Sequence, residues 1–175
     1  MDPIRIAQLA DLPALVAIYN QAIARRNATA DTIPLQVEQR LDWFHLHTPD
    51  AYPIYLYEEG GQVLGWLSIS PYRGRPALSR TAEVSYYVDY ACHGRGIGTA
   101  LLQHALAQAP RIGKRVYLAI LLEWNTASLR LLEKAGFERW GYLPEVAEFD
   151  GKLCGQYYYG KILAGRSTPA IKPAA

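Results

Sequence analysis

Hydrophobic positions along this chain switch between two periods, and the switches divide it into elements. "IRIAQ" (4–8) alternates apolar and polar side chains, as a half-buried strand does. Beyond it Leu12, Leu15, Val16, Tyr19 and Ile23 fall on one helical face behind Asp11, a residue type suited to a helix cap. The polar "RRNATADT" (25–32) predicts a loop. "PLQVEQRLDWFHLH" (34–47) predicts a second helix that opens on a proline and gathers Val37, Leu41 and Phe44. "YPIYLYEEGGQVLGWLSISPY" (52–72) predicts two strands joined through Glu58, Glu59, Gly60 and Gly61. A further strand, "AEVSYYV" (82–88), precedes a glycine-rich loop.

A third helix then starts near Gly98 and buries Leu101, Leu102, Ala105 and Leu106. The near-continuous apolar run "RVYLAILLE" (115–123) predicts a strand covered on both faces. Asn125 is placed to cap the helix "TASLRLLEKAG", which stops at Gly136. "FERWGYLPEVAEF" and "CGQYYYGKIL" predict two strands around a turn at Asp150 and Gly151. The order β-α-α-β-β-β-α-β-α-β-β predicts one mixed α/β domain over residues 1–163, and "AGRSTPAIKPAA" (164–175) predicts a disordered tail. No internal repeat is visible.

Composition narrows the class. The chain has 175 residues, half of them hydrophobic and 19% charged, which suits a globular protein with a real core. A net charge of +2 with no dominant basic cluster points away from nucleic-acid and membrane partners. Two cysteines, Cys92 and Cys154, form neither a disulfide framework nor a metal spacing, and His45, His47, His93 and His104 form no ligand motif, so no metal is expected. The N-terminal "MDPIRIAQLADLPALV" lacks a signal-like apolar core and no stretch reaches the length of a membrane span, which predicts a cytoplasmic protein.

The chemistry concentrates in "YACHGRGIGTALL" (90–102). The dinucleotide fingerprint fails, because its third glycine would fall on Thr99 or Leu101, and no Gly-Lys-Ser/Thr of a P-loop follows. What remains is a strand, the loop His93-Gly94-Arg95-Gly96-Ile97-Gly98 and a helix. Such a loop either cradles a diphosphate on the free amides of the helix start, with Arg95 as a charged contact, or merely turns the chain.

That loop, the following strand and the helix "Asn125-Thr-Ala-Ser128 … Ala135-Gly136-Phe137" resemble the acetyl-CoA site of the GNAT N-acetyltransferase superfamily. "IYNQAI" (18–23), "ATADTIP" (28–34), "TAEVSYYV" (81–88), "HGRGIGTALL" (93–102) and "LPEV" (143–146) resemble its phosphinothricin and methionine sulfoximine acetyltransferase branch, in the branch's order over residues 3–163. The resemblance implies a mixed, mostly antiparallel central sheet flanked by helices. It also implies acetyl-CoA as cosubstrate, direct transfer of acetyl to the primary amine of a small amino-acid-like acceptor, and a homodimer.

Residue by residue, the resemblance assigns the coenzyme to Tyr86, Tyr87, Val88, His93, Gly94, Arg95, Gly96, Ile97, Gly98 and Thr99, with Asn125 and Ser128 along its arm. On the letters alone Tyr86 and Tyr87 read better as core and Ser128 as a solvated first-turn serine, and Asn125 serves equally as a helix cap. Glu83 takes the position of the base; on an apolar strand its carboxyl would be made basic by desolvation, although the letters alone read equally as a solvent-facing strand residue with a surface partner. Arg73, Arg75 and Arg80 are candidates for an acceptor carboxylate, with Thr29 and Asp31 beside them. The pattern breaks at Leu132, where the superfamily carries a proton-donating tyrosine and the branch a histidine, and at "GKLCGQYYY" (151–159), where the branch carries a tryptophan and an acid. The leucine at 132 keeps one alternative open, an acyl-CoA sensor without turnover; a second is an acetyltransferase of proteins or peptides, although no acidic or extended peptide-binding surface is evident in the sequence.

Overall fold

The computed structural model describes residues 3–163. The stretch 164–175, read above as a disordered tail, lies outside the described residues. Seven strands make one sheet: β1 (Ile4–Ile6), β2 (Ile54–Glu59), β3 (Gln62–Pro71), β4 (Thr81–Val88), β5 (Val116–Leu122), β6 (Glu138–Phe149) and β7 (Lys152–Ile162). Their order is β1-β2-β3-β4-β5-β7-β6, antiparallel throughout except for β4 against β5. The helices are α1 (Leu12–Arg25), α2 (Leu41–His45), α3 (Ile97–Gln108) and α4 (Thr126–Lys134). The predicted element order and the mixed, mostly antiparallel sheet are therefore those found.

Alternation along the strands sends side chains to two cores. Ile54, Leu56 and Trp66 pack against Leu15, Ile18, Tyr19 and Ile23 of α1. Their neighbours Tyr55, Leu67, Ile69 and Val84 pack on the other face against Leu101, Leu102 and Ala105 of α3, with Leu132 of α4. β5 is buried on both sides, as its unbroken apolar run requires. Gly60 and Gly61 close the β2–β3 hairpin with φ of 59° and 77°, a left-handed pair that fits the right-handed twist of the strands it joins.

Local chemistry moves three predicted boundaries. Asp11 donates no cap to α1: its carboxylate accepts the Gln8 amide at 2.7 Å and is held by both Nη1 and Nη2 of Arg5 at 2.8 Å, so it stabilises a 3-10 turn, Leu9–Asp11, that precedes α1. The strand read over 4–8 ends at Ile6, where that turn begins. The helix read over 34–47 is a 3-10 turn, Val37–Arg40, followed by one short α-helical stretch. Thr48 and Pro49 stop it, and the Thr48 amide bonds back to the Tyr52 carbonyl at 3.1 Å.

Candidate active site

β4 and β5 pair only from Thr81–Val116 to Glu83–Leu118, although β4 runs on to Val88 and β5 to Leu122. On its other edge β4 stays bonded to β3 as far as Gly65–Val88. The Asp89 amide bonds to the Leu64 carbonyl at 2.9 Å, and in an antiparallel ladder alternate residues point their amides the same way. The amides of Tyr86 and Val88 therefore point away from β3, into the gap that the ended β4–β5 ladder leaves. The Val88 carbonyl is taken by His93 Nε2 at 3.0 Å; a carbonyl only accepts, so this ring nitrogen carries the proton. The His93 ring stacks on Tyr90 with centroids 4.3 Å apart.

Two cavities open along this gap. The larger, about 400 Å³, runs from the loop residues His93, Gly94, Gly96, Ile97, Gly98 and Thr99 to Tyr86, Tyr87 and Val88, and on to Asn125 and Ser128 at the start of α4. Gly94 and Gly96 hold φ of 80° and 81°, a left-handed conformation that favours glycine, and a Cβ on either would meet nothing within 4 Å. Conformation rather than crowding selects glycine here, and the loop delivers the unbonded first amides of α3 to the cavity end. Asn125 both lines the cavity and caps α4, its side-chain oxygen accepting the Ser128 amide at 3.1 Å. Among the described residues the Tyr86 hydroxyl is buried without a hydrogen-bond partner, and burial pushes it up to about 12.

The second cavity, about 290 Å³, holds Glu83, Ser85 and Tyr87 of β4, Thr29 and Ala30, Ile120 of β5, and Gln156 and Tyr158 of β7. Ala28 and Tyr87 line both cavities, which therefore lie side by side. Glu83 is half-buried, and among the described residues no hydrogen bond or ion pair reaches its carboxylate; desolvation alone pushes its carboxyl above the usual range. Thr29 is buried and its hydroxyl lies 2.6 Å from the Tyr19 hydroxyl, which itself donates to Asp31 at 2.6 Å. One phenol has one proton, so Thr29 donates to Tyr19.

Not every candidate joins these cavities. Arg95 turns outward, its guanidinium paired with Glu59 of β2 and its Nη1 3.6 Å from Cys92 Sγ. Asp31 stands behind Tyr19 rather than in a cavity wall. Arg73 lies over the Tyr72 ring, Arg80 reaches the Gly113 carbonyl at 3.4 Å, and Arg75 leads into a 3-10 turn; all three are exposed and line neither cavity. Leu132 is 1% exposed and packed in the core, so this helix presents Leu131, not residue 132, to the cleft. Among the described residues no group of three or more potential ligands could hold a metal ion, and no helix is long and apolar enough to cross a membrane.

The sequence reading missed Ala28, Tyr90, Cys92, Ala127 and Leu131 in the larger cavity, and Ser85, Gln156 and Tyr158 in the smaller. Gln156 and Tyr158 share a strand face by their spacing of two, but the sheet order that puts β7 beside β5 is not written in that spacing.

The profile of the acetyltransferase (GNAT) family matches residues 16–137. The chain belongs to the GNAT family of acetyltransferases. Its GNAT relatives include a Bacillus subtilis protein provisionally named phosphinothricin acetyltransferase YwnH, 49% identical over 85% of this chain and 91% of its own. The L-methionine sulfoximine/L-methionine sulfone acetyltransferase of Pseudomonas aeruginosa is 35% identical over 85% of this chain and 87% of its own. Among solved structures, a GNAT phosphinothricin acetyltransferase of Sinorhizobium meliloti in complex with acetyl-CoA superposes with a TM-score of 0.87 at 26% identity, over 97% of this chain and 95% of that one. The protein is an N-acetyltransferase of this GNAT family.

Proposed function

We propose that this protein transfers acetyl from acetyl-CoA to the primary amine of a small amino-acid-like acceptor of the methionine sulfoximine or phosphinothricin type. One observation carries the reading: a cavity walled by a desolvated carboxylate with no partner among the described residues shares Ala28 and Tyr87 with a cleft that ends on the open amides of a helix. The acceptor class follows the names of the relatives, and a cavity of about 290 Å³ has room for an acceptor of that size.

The larger cleft suits acetyl-CoA. Gly94, Gly96 and the first amides of α3 would take the diphosphate, Asn125 and Ser128 would flank the pantetheine arm, and the orphaned Tyr86 hydroxyl offers one more donor in the wall. Acetyl-CoA, when bound, supplies a thioester carbonyl activated toward amines. Glu83 takes a proton from the acceptor's ammonium, directly or through one water. The Val88 amide, aimed into the strand gap, is the donor placed for charge developing on a carbonyl oxygen there. Leu132 has no proton to give, and a coenzyme thiol about as acidic as cysteine, with a pKa near 8.5, leaves without one.

Acetyl-CoA-dependent thiol release against methionine sulfoximine, phosphinothricin, the common amino acids, polyamines and peptides tests this reading. Turnover on an amino-acid analogue is expected, and Glu83→Gln should reduce it by about 10²–10⁴-fold. Turnover confined to peptides or polyamines, or an unimpaired Glu83→Gln enzyme, overturns it.

The finer assignments follow from the same reading. Two free thiols suit the reducing cytoplasm. The exposed apolar side chains of Trp140, Tyr142, Leu143 and Val146 on the edge strand β6 suit a homodimer.

A further inference from the structure

The face of the sheet that carries Glu83 is covered by α1 and, beside it, by the segment around α2, where the polar groups are arranged in a definite sense. His47 Nδ1 lies 2.7 Å from the Trp43 carbonyl, and its Nε2 lies 3.1 Å from Ser70 Oγ. The carbonyl only accepts, so Nδ1 carries the proton of the neutral ring and Nε2 is left as an acceptor. Ser70 must then donate its single hydroxyl proton to His47. Ring contact with Trp43, centroids 4.5 Å apart, fixes the imidazole in this orientation. Burial, with Arg40 adding to it, pushes His47 below its ordinary value, so the ring is neutral at neutral pH.

Ser70 stands directly opposite Glu83 in the β3–β4 ladder, on the same face. Side chains so opposed have Cβ atoms about 4.5–5.5 Å apart, within reach of each other directly or through one water. With its proton given to His47, Ser70 can offer Glu83 only lone pairs. The other polar groups lining the cavity of Glu83 are Thr29, Ser85, Tyr87, Gln156 and Tyr158, and among the described residues no cation lines it.

Taking Glu83 as the base, we propose that His47 and Ser70 are positioning residues that keep a hydrogen-bond acceptor beside Glu83, ready for the proton Glu83 takes from the acceptor amine. The pair favours the protonated carboxyl and does nothing for the carboxylate, so it makes Glu83 a better base. It acts through Glu83 and does not touch the substrate.

The sign of this effect separates it from simple packing. Replacing Ser70 by alanine removes a polar neighbour, which by desolvation alone would raise the carboxyl further; the same rise follows if Ser70 donates to the carboxylate. The arrangement described here gives the opposite result. A net hydrogen bond of typical strength corresponds to a fall of about 0.4–1 pH unit in the Glu83 titration of Ser70→Ala.

The measurement is the carboxyl-carbon NMR titration of Glu83 in the free protein, assigned by its loss in Glu83→Gln, with the acidic limb of kcat/KM followed in parallel. Ser70→Ala and His47→Phe should both lower the midpoint, the second because it frees the Ser70 proton to bond the carboxylate. Ser70→Thr, which keeps the hydroxyl, should return it to the wild-type position. An unchanged or raised midpoint in Ser70→Ala overturns the proposal while leaving Glu83 as the base. A Glu83→Gln enzyme that keeps its activity removes the base reading instead, and that result is independent of the titration. If Ser70→Ala fails to fold, the His47→Phe titration decides alone: a midpoint that does not fall overturns the proposal.

Discussion

Burial makes Glu83 a stronger base and, by the same desolvation, costs the fold stability. A carboxyl pushed up by desolvation is protonated over a range in which the unfolded chain has already ionised, so the folded state holds the extra proton there. Stability on this account falls as pH rises through the raised folded value, and it is regained as pH falls back through that window. Glu83→Gln has no such titration. The melting temperature of the wild type minus that of Glu83→Gln should therefore increase as the pH is lowered from above the raised Glu83 value into the ordinary carboxylate range. Thermal unfolding of both proteins across that range checks it, and a difference that stays flat with pH would show that burial at Glu83 costs the fold nothing. Catalysis carries the opposite sign: kcat/KM should fall toward acid through the same window, because protonation removes the base.

Among the elements, α4 joins fold and site through one residue. Asn125 accepts the Ser128 amide and also forms cleft wall, so Asn125→Ala removes the cap of a nine-residue helix. A loss of about 1 kcal/mol in urea unfolding is expected. Asn125→Asp keeps the accepting oxygen and should keep the stability; an Asp variant as weak as Ala would place the effect in packing rather than in the cap.

This cap was legible in the sequence because its chemistry is local, an Asn three residues before the amide it satisfies. So were the α1 and α3 faces and the two-residue hairpin turns, which depend on spacing alone. Asp11 misled because Arg5 and Gln8 compete for the same carboxylate, and the 34–47 segment because amphipathic spacing fits a 3-10 turn as well as an α-helix. Glu83, Thr29 and the glycine loop could be nominated from the letters. The placing of the two cavities side by side could not, since it depends on a crossover that places β5 beside β4 for three residues and then lets the pairing end.

For the molecule as a whole, the outstanding surface is the edge of the sheet. β1, at one end, is three residues long, but β6 at the other is twelve, with its outer backbone unpaired among the described strands. An edge of that length is a template for association unless it is charged, bulged or covered. β6 is bulged between Leu143 and Ala147, where Glu145 turns to φ 54°, and the bulge lifts Val146 to 52% exposure beside Leu143. Trp140 and Tyr142 are committed inward as well as exposed. Their rings lie so close over Gly160 and Gly155 that a Cβ on either glycine would overlap them. They are thus poor sites at which to test association, because replacing them disturbs β7.

Val146 touches no such partner and is the cleaner probe of the proposed homodimer. Sedimentation equilibrium of the wild type should give twice the chain mass of 19.6 kDa, and Val146→Glu should shift the protein toward 19.6 kDa. A charge facing its own copy across a two-fold interface would be buried twice, so one substitution is enough to move the equilibrium. Unchanged melting behaviour of the isolated variant at low protein concentration would place the loss at the interface and not in the fold. A wild type that sediments as a monomer would reject the dimer and leave the apolar bulge without a covering partner.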